Sequence, residues 1–214
     1  MKNYIAFFWV AFLLFMIWMT SCSQPDPLES DNSLTLFFSK QQIEDIGLMI
    51  KYADIIATKK TKESDINLAY HAYFDYLKRC MFEGEYVVPL KNAKSFLFFD
   101  EISESTYGAF WHLAESFSFD STSCDENPII SLNINGAYVK YLEKLGVTDS
   151  FFYYLHDNIS WAGDLSRSQL ILRLSNDDTI DFRTNPYRIL AMVCVFSIYE
   201  PLSGGIKPQA GTSN

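Results

Sequence analysis

The sequence predicts a mainly α protein, a compact irregular multi-helix domain made of helical hairpins, and three observations carry that expectation. Apolar side chains recur at intervals of three and four along most of the chain, the spacing that places them on one face of a helix. Serine, threonine or asparagine precedes most of these runs, where a side-chain oxygen can accept from the free amides of a helix start, and glycine or proline follows several of them. The connectors are short and polar, which suits neighbouring helices that run antiparallel.

The first long run is Lys40 to Ala57, with Ser39 as its N-cap and Gln42 as the capping-box partner. Ile43, Ile46, Ile50, Ala53 and Ala57 form its apolar stripe. A polar connector, Thr58 to Glu63, leads to a second run from Asp65 to Met81 behind Ser64, in which Ile66, Tyr70, Tyr73, Phe74 and Leu77 repeat at three and four. These two helices are expected to pair as a hairpin. Between Tyr86 and Phe99 the pattern shortens, and Tyr86-Val87-Val88 and Ser95 to Phe99 read as a short β element. Ser103 then caps a third helix, Glu104 to Ser118, and Asp120 to Asn127 is a loop. Asn135 to Leu145 ends at Gly146, Thr148 caps Asp149 to Ser160, and Ser166 caps a piece reaching Leu174. Asn185 with Pro186 opens a last, apolar helix that runs to Tyr199, and Pro201 closes it. The caps are unevenly spaced and no motif recurs, which disfavours a solenoid.

The chain opens with Lys2, an apolar run from Ile5 to Met19, and Met19-Thr20-Ser21-Cys22. A positive start, a short apolar core and small residues before a cut site read as an export signal, whereas a bilayer span needs roughly 20 apolar residues. The segment resembles bacterial lipoprotein signals, in which the residue after the cut is cysteine. That resemblance implies removal of residues 1–21 and a diacylglyceryl, N-acylated Cys22, a double chain that holds a protein stably on a membrane. Residues 22–33, with Pro25, Asp26, Pro27, Glu29 and Asp31, read as an acidic flexible tether, residues 34–202 as one helical domain and residues 203–214 as a loose tail. Acidic residues soon after the cysteine also resemble the surface-export signal of some Gram-negative lipoproteins. The expected address is the cell envelope, with the outer membrane favoured and display on the surface in view.

The net charge is −9, and −10 once the signal with Lys2 is gone. A strongly acidic chain speaks against nucleic acid, and against anionic lipid, as a partner, because both demand a basic patch. Of the cysteines left after acylation, Cys194 lies in an apolar run and reads as core, while Cys80 and Cys124 stand near polar segments and are free to pair in an oxidising periplasm.

Candidate chemistry is sparse. The sequence has no nucleophile elbow, no His-Glu-x-x-His, no phosphate loop and no dinucleotide glycine pattern. Its three histidines each have an acidic neighbour: His71 with Asp75, His112 with Glu115 and His156 with Asp157. The first two spacings can present two ligands on one helical face, yet each pair also fits an ordinary helix surface, so neither a metal nor a cofactor is expected. Trp161 and Asp164, in Trp161-Ala162-Gly163-Asp164-Leu165-Ser166, are the candidate contacts for a ligand or partner. The simpler reading of this loop is a helix end closed by Gly163, with Trp161 packed over it and Ser166 capping the next helix. Phe151 to Tyr154 circle a helix, so not all can enter one core and one or two should face a second layer or a partner; packing against neighbouring helices is the simpler explanation. The expected function is a lipid-anchored, non-catalytic interaction module, immunity-like by analogy; the alternative is a periplasmic or surface hydrolase using His71, His112 or His156.

Overall fold

A computed structural model describes residue 28 and residues 31–83, 101–114 and 129–199. The expected signal segment with Cys22, the expected β element between Tyr86 and Phe99, Cys124 and the tail lie outside the described residues. Within them are eight helices: α1 Asn32–Thr35, α2 Lys40–Thr61, α3 Ile66–Glu83, α4 Glu104–Phe110, α5 Ala137–Gly146, α6 Ser150–Ala162, α7 Arg167–Asn176 and α8 Asn185–Tyr199. Two four-residue strands, β1 Trp111–Ala114 and β2 Ile129–Leu132, pair antiparallel with Trp111 opposite Leu132. The mainly α class predicted from periodicity is the class observed. Among the described residues no helix is long and apolar enough to cross a membrane.

The α2 start follows its sequence signature: Gln42 N–H donates to the Ser39 hydroxyl and the Ser39 N–H donates to the Gln42 side chain. All five residues of its predicted stripe are buried. They pack on α3 and α8, and α3 packs in turn on α7. At the centre lies α8, in which every side chain from Ile189 to Phe196 is buried. An all-round apolar helix of this kind is stable only when neighbours cover every face. Here α2 and α7 both pack on it, and the Phe196 ring meets those of Tyr52 and Trp111 at 5.7 and 6.0 Å. Helices α5 and α6 form a second hairpin. Its closeness explains Gly146, which is the last helical residue of α5 and not the residue beyond it: a Cβ there would stand 2.8 Å from the Tyr153 backbone.

Three expected boundaries move. The third helix does not reach Ser118 but stops at Phe110, because Asn133 arrives from the end of β2 and takes its last carbonyls. The Asn133 N–H donates to Phe110 O at 2.8 Å and its Nδ2 donates to Gly108 O at 2.6 Å. Once those acceptors are used from outside, the chain runs on as β1. The connector expected over Thr58 to Glu63 is mostly helix. The Thr58 and Thr61 hydroxyls donate to the carbonyls of Asp54 and Ala57 within α2, and Lys62 ends the helix with a left-handed φ of 64°. Part of the expected tether, residues 22–33, is folded: Leu28 is buried, and Asp31 caps α1 while accepting from Asn185 Nδ2 at 3.0 Å. Elsewhere the caps shift by one residue, with Asp65 and Asp149 accepting the helix-start amides in place of Ser64 and Thr148.

Candidate functional site

Helix α6 divides its aromatic run between inside and outside. Phe151 and Phe152 enter the core, where both meet the Tyr187 ring, at 5.5 and 4.9 Å, and Tyr153 and Tyr154 face solvent. Tyr154, Asn158 and Trp161 continue the outer face at spacings of four and three. Gly163, with φ 76°, then takes the left-handed conformation that closes the helix. The simpler reading of this loop therefore holds for Gly163 but not for Trp161, whose side chain does not fold back over the helix end and is 86% exposed.

Asp164 sets the next turn. Its Oδ1 accepts from the Leu165 N–H at 2.7 Å and from the Leu132 N–H at 3.2 Å, so a single carboxylate ties the α6–α7 connection to β2. Ser166 occupies the N-cap position of α7 without making a side-chain cap bond. With the turn held in this way, α6 and α7 enclose a cavity of about 410 Å³. Its floor is aliphatic, built from the buried Leu155, Ile159, Leu165 and Leu170, and its rim is polar, built from Asn158, Asp164, Ser166, Gln169 and Arg173 with Trp161 at the mouth. Arg173 is held by the aromatic run: its guanidinium carbon lies 4.6 Å from the Phe151 ring centre and 5.7 Å from that of Tyr154. A cation over aromatic faces is attracted by the ring quadrupoles while its N–H groups stay available.

The arrangement suits recognition. Neither histidine nor cysteine lines the cavity, and the single carboxylate and single guanidinium leave the rim without net charge. A 410 Å³ cleft with an apolar floor and a few polar groups fits an apolar side chain flanked by hydrogen-bonding neighbours. Trp161 and Asp164, singled out from the sequence, are thus brought to one cavity. The sequence also points to Tyr154, as one of the aromatics expected to face outward, but not to Asn158, Gln169 or Arg173, although the spacing of four between 169 and 173 on α7 was legible.

The three histidines lie on three elements. His71, on α3, donates from Nε2 to the Ile180 carbonyl at 2.9 Å, and the edge of its ring meets Phe182. Its sequence neighbour Asp75 pairs with Lys78 at 2.9 Å. His112 is exposed on β1, and Glu115 lies outside the described residues. His156, on α6, has Nε2 at 3.5 Å from the Ser160 hydroxyl, which itself donates to the His156 carbonyl. Among the described residues, no group of three or more His, Cys, Asp or Glu side chains is placed to hold a metal ion. Cys80 and Cys194 are buried free thiols, and burial, opposed only by Arg167, pushes the Cys194 thiol up to about 12, far from a reactive thiolate. No family model, no curated protein and no solved structure matches this chain.

Proposed function

We propose that the chain is a lipid-anchored envelope protein, held by Cys22, that works as a non-catalytic interaction module and receives a polypeptide partner in the α6–α7 groove. The exposed Trp161 at the mouth of an aliphatic cleft carries this reading. Binding energy at protein interfaces concentrates in Trp, Tyr and Arg around a desolvated pocket, and Trp161, Tyr154 and Arg173 stand together on this face. A tryptophan exposed to this degree offers a large amphipathic surface that adds to affinity once a partner covers it. Interception of an incoming protein at the membrane, the immunity-like role, is one instance of this function. The hydrolase alternative needs two histidines beside a carboxylate in one pocket, and the partners of His71 and His156 give it no support.

Two experiments test the two halves. Labelled fatty acid is expected to enter the wild-type protein and not Cys22→Ser; label retained by the variant ends the anchor reading. For the groove, the chain from Ser23 onward serves as bait in envelope extract. Trp161→Ala is expected to keep its thermal stability, because the side chain is exposed, and to weaken capture of the partner by roughly 30-fold, the effect of losing a hot-spot residue. Leu36→Ala, another exposed apolar position, is the control. Equal capture by the wild type and Trp161→Ala sinks the groove as the binding surface.

A further inference from the structure

We infer that the outward face of α2 lies on the bilayer, with the phosphates of anionic lipid headgroups as its occupant, so that the domain is oriented on the membrane as well as anchored to it. This rests on the lipid-anchored reading.

The face is built at helical spacing. Leu48, Lys51, Ile55 and Lys59 follow at three, four and four along α2, and Lys62 stands at its end. All five are exposed, the two aliphatic residues by 46% and 40%. From Leu48 to Thr61 the acidic side chain nearest this face is Asp54, which lines a cavity beside Lys51. Asp45 is turned into the core, the Asp54 carboxylate is taken up by the Tyr70 hydroxyl and the Arg188 guanidinium, and Glu44, one turn before Leu48 on the same face, lies 3.8 Å from Lys40. Glu63 and Asp65 come only after the helix has ended. A surface on which lysines alternate with aliphatic side chains can set its ammonium groups against anionic headgroup phosphates.

Whole-chain charge speaks against anionic lipid, but it averages over the molecule. Charges further than about 8 Å apart are screened at physiological salt, so a surface in contact feels the local lysines and not the distant carboxylates. The tether places this face within reach. Leu28 lines a cavity of about 240 Å³ together with Gly47, Ile50, Lys51 and the Asp54–Arg188 pair, so the chain enters the domain beside the middle of α2. Six residues from Cys22 to Leu28 span at most about 20 Å. Each lysine near an anionic leaflet is worth about 1 kcal/mol, too little to hold a free protein but enough to orient a tethered one.

The test supplies the anchor artificially, so that its failure and the failure of the Cys22 reading are distinguishable. Residues 1–22 are replaced by a histidine tag, Cys124 by serine, and the protein is bound to nickel-chelating lipid in phosphatidylcholine vesicles with or without about one-third phosphatidylglycerol. An environment-sensitive fluorophore is placed at Leu48→Cys or, for comparison, at Trp161→Cys, while Cys80 and Cys194 are shielded by burial. The label at 48 is expected to shift to the blue and to be quenched by brominated lipid on the anionic vesicles, less so as salt is raised. Lys51→Glu with Lys59→Glu is expected to reduce the docked fraction at least about fivefold, and the label at 161 to remain unquenched. Absence of quenching at 48, quenching that survives the charge reversal, or equal quenching at 161 overturns the proposal.

Discussion

Phe182→Ala is expected to lose about 3–5 kcal/mol of stability, the usual cost of emptying a large aromatic site in a core. Phe182 sits in the α7–α8 connection and is fully buried, stacked on Phe74 at 5.6 Å and tilted against Tyr70 at 5.1 Å. Its N–H donates to Asn67 at 2.8 Å, and two residues earlier the Ile180 carbonyl accepts from His71. One ring therefore plugs a connector onto α3, and its loss leaves a cavity walled by rigid aromatics that cannot collapse into it. Chemical denaturation should show a lower midpoint at unchanged slope, with a melting temperature lower by roughly 10 °C. A loss below about 1 kcal/mol would mean that this connector does not depend on the ring. The same contact assigns His71 a structural task.

Asp45→Ala is expected to cost roughly 2–4 kcal/mol at neutral pH and progressively less in acid. The Asp45 carboxylate is 2% exposed and meets four donors: Thr106 Oγ1 at 2.6 Å, Ser103 Oγ at 2.8 Å, Ser103 N–H at 2.9 Å and Gln41 Nε2 at 3.0 Å. Burial by itself would raise this carboxyl, but the donors outweigh it and hold it below the ordinary 3.8. A depressed carboxyl contributes stability that is complete above its unfolded value and is lost as pH falls through the folded one. The gap between wild type and Asp45→Ala should therefore be flat above about pH 5 and narrow below about pH 4, read from urea midpoints at several pH values. Asp31 is lowered in the same way, its burial outweighed by Ser33 and Asn185, so the wild type itself should weaken over that acid range. A gap that stays constant down to pH 2 would rule out the ionised carboxylate as the reason for the site. The network joins α2 to the cap of α4 across about 60 residues of chain, which is why Thr106 is fully buried and why Ser103, the cap recognised from the sequence, does more than cap.

The class of fold, the positions of most helices and their buried faces were legible in the sequence. Periodicity and capping are interactions among residues within four positions of one another, so Ser39 with Gln42, the stripe from Ile43 to Ala57, the Gly163 stop and the burial of Cys194 inside an apolar run follow from local order alone. Tertiary structure decided what depends on distant chain. Asn133 ends α4 at Phe110 from 23 residues away, and Asn185 secures Asp31 from 154 residues away, turning part of an expected tether into folded structure. The groove is of this second kind. Trp161 and Asp164 could be named, but nothing local distinguishes a tryptophan packed over its helix end from one held in solvent beside Leu165, Gln169 and Arg173. That distinction follows from the angle at which α7 leaves the turn, which Asp164 sets by accepting an amide of β2 that lies 32 residues earlier in the chain.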